Sequence, residues 1–94
     1  MKQLLYYLLL GTRGGETRAK ILNSIKNKPL NANQLASELK LDYKTIQHHL
    51  RILVKNNILK TINGNSYGAV YFLSEYMEKN FKLFGEIWGK FWKK

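Results

Sequence analysis

The sequence predicts a mainly α-helical domain that carries one small β-hairpin. Three observations point there. Asn31–Leu53, NANQLASELKLDYKTIQHHLRIL, sets apolar residues at helical spacing in two short runs separated by a tight turn. After Asn56-Asn57 the apolar period changes from helical to two-fold. Met77, Phe81, Phe84, Trp88 and Phe91 then recur in steps of four and three, the spacing of a coiled-coil-like seam. At 94 residues a single domain over 1–94 is expected. It divides into an N-terminal helix over 1–10, a three-helix core over 16–56 with its two-helix unit at 31–56, a hairpin over 58–73 and a C-terminal helix over 74–94.

Met1–Leu10, MKQLLYYLLL, has the apolar core of a short signal peptide. No small-residue cleavage site follows, and Arg13 comes at once, so a retained helix is expected. Leu4, Leu5, Leu8 and Leu9 form its apolar stripe, widened by Tyr6 and Tyr7. So much apolar surface on a short terminal helix calls for a partner. Packing within one subunit would supply one; a subunit interface is the preferred assignment. Gly11-Thr12-Arg13-Gly14-Gly15 breaks the pattern and reads as a flexible joint. The second helix is expected over Glu16–Asn27, with Glu16 in its first turn and Lys26 and Lys28 at its end. Ile21, Leu22 and Ile25 form its buried side. Arg18 and Lys20 are available to phosphates, although the preferred reading makes one of them an ordinary surface cation. Pro29 keeps the next helix separate.

Asn31 can cap the third helix, with Gln34 completing a variant capping box. Leu35, Ala36 and Leu39 face inward. Lys40-Leu41 makes the turn, although glycine is the easier residue if position 40 needs a left-handed backbone. Asp42 is a strong N-cap for the fourth helix, which should run from Tyr43 to about Asn56. At about 100° per residue, Ile46, Leu50 and Leu53 form the buried stripe, flanked by His49 and Val54. Lys44, His48, Arg51 and Lys55 gather on the opposite side, with Gln47 beside them. No acid follows Asp42 in this helix. A solvated charged face is the ordinary explanation of such a surface. Here the face is one-signed, carries Gln and His, and follows a tight turn, which favours contact with nucleic acid.

Ile58–Ile62 and Ala69–Leu73 read as strands. Between them, Asn63-Gly64-Asn65-Ser66-Tyr67-Gly68 contains Asn-Gly, a strong hairpin signal. Asn63, Asn65 and Ser66 offer hydrogen bonds to phosphate or sugar, but Lys60 is the nearest cation. The tip contributes weakly to binding or is purely structural; Tyr67 stacks on a sugar or closes the hairpin. Ser74 caps the last helix, with Glu75 and Glu78 in its first turn. Lys79, Lys82, Glu86, Lys90 and Lys93 lie opposite the aromatic seam. Glu78–Lys82 and Glu86–Lys90 are spaced as i,i+4 pairs worth about 0.2–0.5 kcal/mol each. Gly85 and Gly89 cost about 1 kcal/mol each relative to Ala. Their spacing admits a second backbone or is simply tolerated near a terminus. The helix serves as a dimer seam, the preferred assignment, or lies on an anionic membrane as FKLFGEIWGKFWKK.

Composition bounds the function. The formal net charge is +10, which favours a polyanionic partner without choosing among DNA, RNA and an anionic membrane surface. There is no cysteine, hence no disulfide, thiolate metal site or thiol redox switch. No segment is long enough to span a bilayer. The acids are few and scattered, and no phosphate-cradling loop, GxSxG or metal-ligand spacing is present, so an enzyme is not expected. His48 and His49 diverge by about 100° on a helix and do not easily grip one metal.

Thr17-Arg18-Ala19-Lys20-Ile21-Leu22, Gln34-Leu35-Ala36, Thr45-Ile46-Gln47-His48-His49-Leu50, Leu53 and the hairpin through Tyr71 occur in an order that resembles the winged helix-turn-helix regulators of the ArsR type, especially compact archaeal versions. The resemblance runs from about Leu10 to Leu73. It implies a cytoplasmic, homodimeric transcription regulator that binds double-stranded DNA. Many ArsR-type proteins sense soft metals through cysteines; this chain departs from that pattern, and neither metal, cofactor nor small-molecule ligand is expected. The expected DNA-binding residues are Tyr43, Lys44, Thr45, Gln47, His48, Arg51, Lys55, Asn63 and Asn65. Gln47 is expected to read a base edge, Arg51 or Lys44 to read guanine or hold phosphate, and Tyr43 and Thr45 to bring helix-start amides to phosphate. His48 is expected to contact the groove. The expected dimer interface comprises Leu4, Leu5, Leu8, Met77, Phe81, Phe84, Trp88 and Phe91. The alternatives are a winged-helix module that binds protein or RNA, or a membrane-surface binder acting through the C-terminal helix.

Overall fold

The computed structural model describes residues 2–63 and 68–92. The chain runs α1 (Lys2–Leu10), α2 (Gly15–Ile25), β1 (Leu30–Asn31), α3 (Ala32–Leu39), α4 (Tyr43–Lys55), β2 (Leu59–Ile62), β3 (Val70–Leu73), α5 (Glu75–Lys79) and α6 (Phe81–Phe91). The sheet is antiparallel, in the order β1-β3-β2. Leu59 faces Leu73 and Ile62 faces Val70 across the hairpin, while Leu30 and Asn31 pair with Tyr71 and Val70. This is the winged helix-turn-helix fold. β1 was not expected: Pro29 holds the chain extended, but two residues are too few to display a period.

The caps follow the sequence closely. The Asn31 side chain accepts from the Gln34 amide at 2.8 Å, and Gln34 Oε1 accepts from the Asn31 amide at 2.8 Å, a complete capping box. Lys40 adopts φ 58°, a left-handed backbone without glycine, and closes α3 by donating its amide to the Ala36 carbonyl. Ser74 Oγ accepts from the Met77 amide at 3.0 Å and donates to the Asn57 carbonyl at 2.7 Å. One hydroxyl therefore caps α5 and ties it to the turn between α4 and β2.

Leu5, Ile21, Leu22, Leu35, Ile46, Leu50, Leu53, Ile58, Leu59, Met77 and Phe84 are fully buried in one continuous core. Burying one such side chain contributes roughly 1.5–3 kcal/mol. The core corrects the expected interface: Leu5, Leu8, Met77 and Phe84 obtain their burial inside the subunit. The C-terminal segment is also two helices, not one. Asn80 interrupts it at φ −111°, its side chain donating to the Tyr76 carbonyl at 2.9 Å, the local competition with helix that Asn favours. Past the break, Phe84 and Ile87 turn inward, Phe81 and Trp88 are half-buried, and Phe91 stays 49 % exposed. The aromatic row keeps ring contact from Phe81 through Phe84 to Trp88, but part of it faces the core and part faces outward. Neither expected ion pair forms; among the described residues the salt bridge is Glu16–Lys20 at 3.5 Å. Gly85 and Gly89 face open space. No helix among the described residues is long and apolar enough to cross a membrane.

The Gly11–Gly15 segment is a tight corner, not a flexible joint. Gly14 has φ 88°, and a Cβ at Gly15 would collide with the Leu9 carbonyl. Arg18 explains why the corner is fixed. It is 3 % exposed, not a surface cation. Its Nε donates to the Leu8 carbonyl at 2.9 Å, one Nη contacts His49 Nδ1 at 3.0 Å, and the other donates to Thr12 Oγ1 and to the Arg13 carbonyl at 3.2 Å. One guanidinium therefore joins α1, the corner, α2 and α4.

Candidate nucleic-acid interface

The candidate surface is the outer face of α4. Asp42 starts that helix by accepting from the Thr45 amide at 2.8 Å and from the Thr45 hydroxyl at 3.1 Å. These two bonds, in that order, hold the Asp42 carboxyl below its ordinary value; slight burial opposes them. Ile46, Leu50 and Leu53 are completely buried, and His49 is 8 % exposed. The helix is thereby clamped along its inner side. Lys44, His48, Arg51 and Lys55 all remain exposed on the other.

His49 is the inner neighbour of that face. Burial, then the charge of Arg18, then that of His48, lowers its pKa. A neutral ring is what the contact needs, because Nδ1 must accept from a guanidinium that has only donors. Burial also lowers the Arg18 pKa, with the nearby Tyr7 acting in the opposite sense. The His48 ring meets that of His49 at 5.2 Å in an edge arrangement while its side chain stays in solvent.

Expected contacts divide into separate groups. Lys44, His48, Arg51 and Lys55 are brought together on the open face. Gln47 is half-buried at its edge, its Nε2 donating to the Tyr43 hydroxyl at 3.1 Å. Tyr43 is also half-buried and packs on the core. Thr45 is engaged in the cap: its amide goes to Asp42, so that donor does not await a phosphate. Asn63 is exposed at the end of β2 with φ 58°, and Asn65 lies outside the described residues. Arg18 drops out of any phosphate contact because it is buried. Its burial was readable: Arg18, Ile21, Leu22 and Ile25 share the i, i+3, i+4, i+7 spacing of one helix face. Tyr71 anchors the hairpin behind α4. Burial and the adjoining Tyr43 raise its pKa, opposed by a hydrogen bond with Thr61 and by the Arg51 charge.

Residues 15–61, half of the chain, match the family described as bacterial regulatory protein, arsR family. The chain belongs to this family. Its members are winged helix-turn-helix transcription regulators that bind double-stranded DNA. No curated protein sequence matches the chain. Among solved structures it is similar to reduced HlyU from Vibrio cholerae N16961, with TM-score 0.70 and 18 % identity over 98 % of this chain and 90 % of that one. HlyU from Vibrio vulnificus CMCP6, a transcriptional regulator, superposes with TM-score 0.68 and 22 % identity over 93 % of this chain and 88 % of that one. The adhesin competence repressor AdcR from Streptococcus pyogenes gives TM-score 0.59 and 16 % identity over 95 % and 78 % of the two chains. At these identities the structural neighbours establish the fold; the arsR family match establishes the regulator class.

Proposed function

We propose that the protein is a homodimeric, sequence-specific transcription regulator that inserts α4 of each subunit into successive major grooves of double-stranded DNA, acting in the cytoplasm. What carries this is the division of α4 into two faces: Ile46, Leu50 and Leu53 completely buried, Lys44, His48, Arg51 and Lys55 all exposed. A major groove about 12 Å wide admits such a helix. Lys44 and Lys55 neutralise phosphates, Arg51 reads guanine or holds phosphate, Gln47 reads adenine and His48 contacts the groove wall. Asn63 and Asn65 of the wing add uncharged contacts, which supports a minor role for the wing.

Tyr6, Tyr7 and Leu10 form an exposed apolar stripe on α1, and Phe91 is exposed on α6. With the half-buried Leu4, Phe81 and Trp88, they form the surface we assign to a subunit interface. The residues buried inside, Leu5, Leu8, Met77 and Phe84, support that surface from below. A twofold axis there would present the two α4 helices about 34 Å apart on one face of the duplex.

Selection of bound duplexes from a random pool tests this directly. Enrichment of a pseudo-palindrome with half-sites one helical turn apart is expected; enrichment of nothing sinks the regulator assignment. Lys44→Ala should weaken binding to every sequence and reduce the salt slope by about 1. An unchanged slope removes the phosphate role. Equal competition by single-stranded RNA would point to an RNA-binding winged helix, and co-sedimentation with anionic vesicles to a membrane-surface role.

A further inference from the structure

The geometry points to Tyr43 as a positioning residue that fixes the Gln47 side chain for readout of an adenine. The inference rests on the major-groove assignment above. Gln47 Nε2 donates to the Tyr43 hydroxyl at 3.1 Å, across one turn of α4. A glutamine amide has two N–H donors and a carbonyl acceptor. Adenine offers the major groove an acceptor at N7 and a donor at N6, and a bidentate partner needs one N–H and one carbonyl on the same edge. When the Tyr43 hydroxyl takes the N–H remote from the carbonyl, the donor–acceptor edge of Gln47 stays complete.

The hydroxyl is a fixed point because the ring behind it is held. Tyr43 is half-buried, packs on the core, and with Gln47 lines a narrow recess shared with Ala32, Asn33, Gly68, Ala69 and Tyr71. The recess joins the start of α3 to the base of the wing. Gly68 enters it with φ 86°, so the wing backbone turns there without a side chain. A free glutamine loses rotamer freedom on being fixed. Fixing it beforehand shifts that cost from binding to folding, which sharpens discrimination. Tyr43 itself touches no base in this arrangement. It sets the angle of the residue that does, and it couples that angle to the seating of the wing.

The test uses the full chain, the duplex recovered by selection, and duplexes carrying each other base at the adenine read by Gln47. Tyr43→Phe should leave the melting temperature unchanged and lower the preference for adenine about two- to tenfold. Gln47→Ala should abolish that preference, and adding Tyr43→Phe to it should change nothing more. An independent readout needs no DNA: the Gln47 side-chain amide should be rotationally ordered by NMR relaxation in the free protein and become disordered in Tyr43→Phe. Three results overturn the inference: an unchanged preference in Tyr43→Phe, an equal loss on all duplexes (a direct phosphate contact by the hydroxyl), or a Tyr43→Phe effect that survives in the Gln47→Ala background. A freely averaging Gln47 amide in the unsubstituted protein overturns it without any variant. Should the unsubstituted protein show no duplex preference at all, the major-groove assignment fails first and takes this one with it.

Discussion

Arg18 and His49 are the pair whose surroundings impose the strictest chemical demand. Arg18 can only donate, so His49 Nδ1 must accept, and the imidazole must be neutral. The His49 pKa lies below its ordinary 6.5 in the folded chain. The unfolded chain then takes up the proton first as pH falls. Stability is full above about pH 6.5 and is lost as pH drops from there toward the folded-state value. Asp42, also lowered, contributes in the carboxylate range and is lost only at more acidic pH. Thermal melting between pH 7 and pH 5 should therefore show a falling midpoint that His49→Asn flattens, since an amide carbonyl still accepts from Arg18; parallel slopes would disprove the account. Arg18→Lys keeps the charge but not the planar fork that reaches Leu8, Thr12, Arg13 and His49 together. It should cost about 2–3 kcal/mol in chemical denaturation. Both residues carried a legible sign of burial, since each lies on the apolar stripe of its own helix. Their partnership was not legible, because 31 residues separate them and only the packing of α2 against α4 brings them together.

Helix ends were readable where one side chain decides them. Asn31, Asp42 and Ser74 all cap as their type and position predict, and Gln34 completes its box. Ends decided by competition were not. Asn80 breaks a helix that the aromatic period carries straight through, because the period records only which residues are apolar, not that an amide can bond back to Tyr76. Glu78 and Lys82 lie on either side of that break and form no ion pair, and neither do Glu86 and Lys90 within α6. Lys40 is the converse case: the chain needs a left-handed residue between α3 and α4, and the sequence supplies one with a Cβ. Such a backbone costs a non-glycine residue roughly 1–2 kcal/mol, partly offset by the chain entropy glycine loses on folding. Lys40→Gly should raise stability by up to about 1 kcal/mol in urea titration; no gain would mean that the lysine is not strained there. Gly15→Ala should act oppositely. Its Cβ meets the Leu9 backbone, which cannot swing aside as a side chain could, and a loss of about 1–3 kcal/mol is expected.

At the scale of the whole molecule, the question is what the terminal helices do for α4. The chain already buries a continuous core by itself, so the apolar stripes left outside are not the remnant of an incomplete fold. Tyr7 is 60 % exposed and Phe91 49 %, on helices whose opposite faces are sealed inside. A net charge of +10 would keep copies of the chain apart, so an interface must hold against that repulsion through apolar contact. In the proposed dimer DNA would change the balance: phosphates would neutralise the basic faces, and one duplex would hold two subunits close. Dimerisation and DNA binding should then reinforce each other, both through the charge and through the rigid corner in which Arg18 ties α1 to α4. A Tyr7→Glu, Phe91→Glu double variant should keep the fold by circular dichroism, since both side chains are exposed. Its solution mass should fall to that of a single chain by sedimentation, and its affinity for the selected palindrome should drop far more than its affinity for one half-site. If the mass falls and both affinities drop alike, the stripes join subunits without setting the spacing of the two α4 helices. An unchanged mass would mean that the interface lies elsewhere on the molecule.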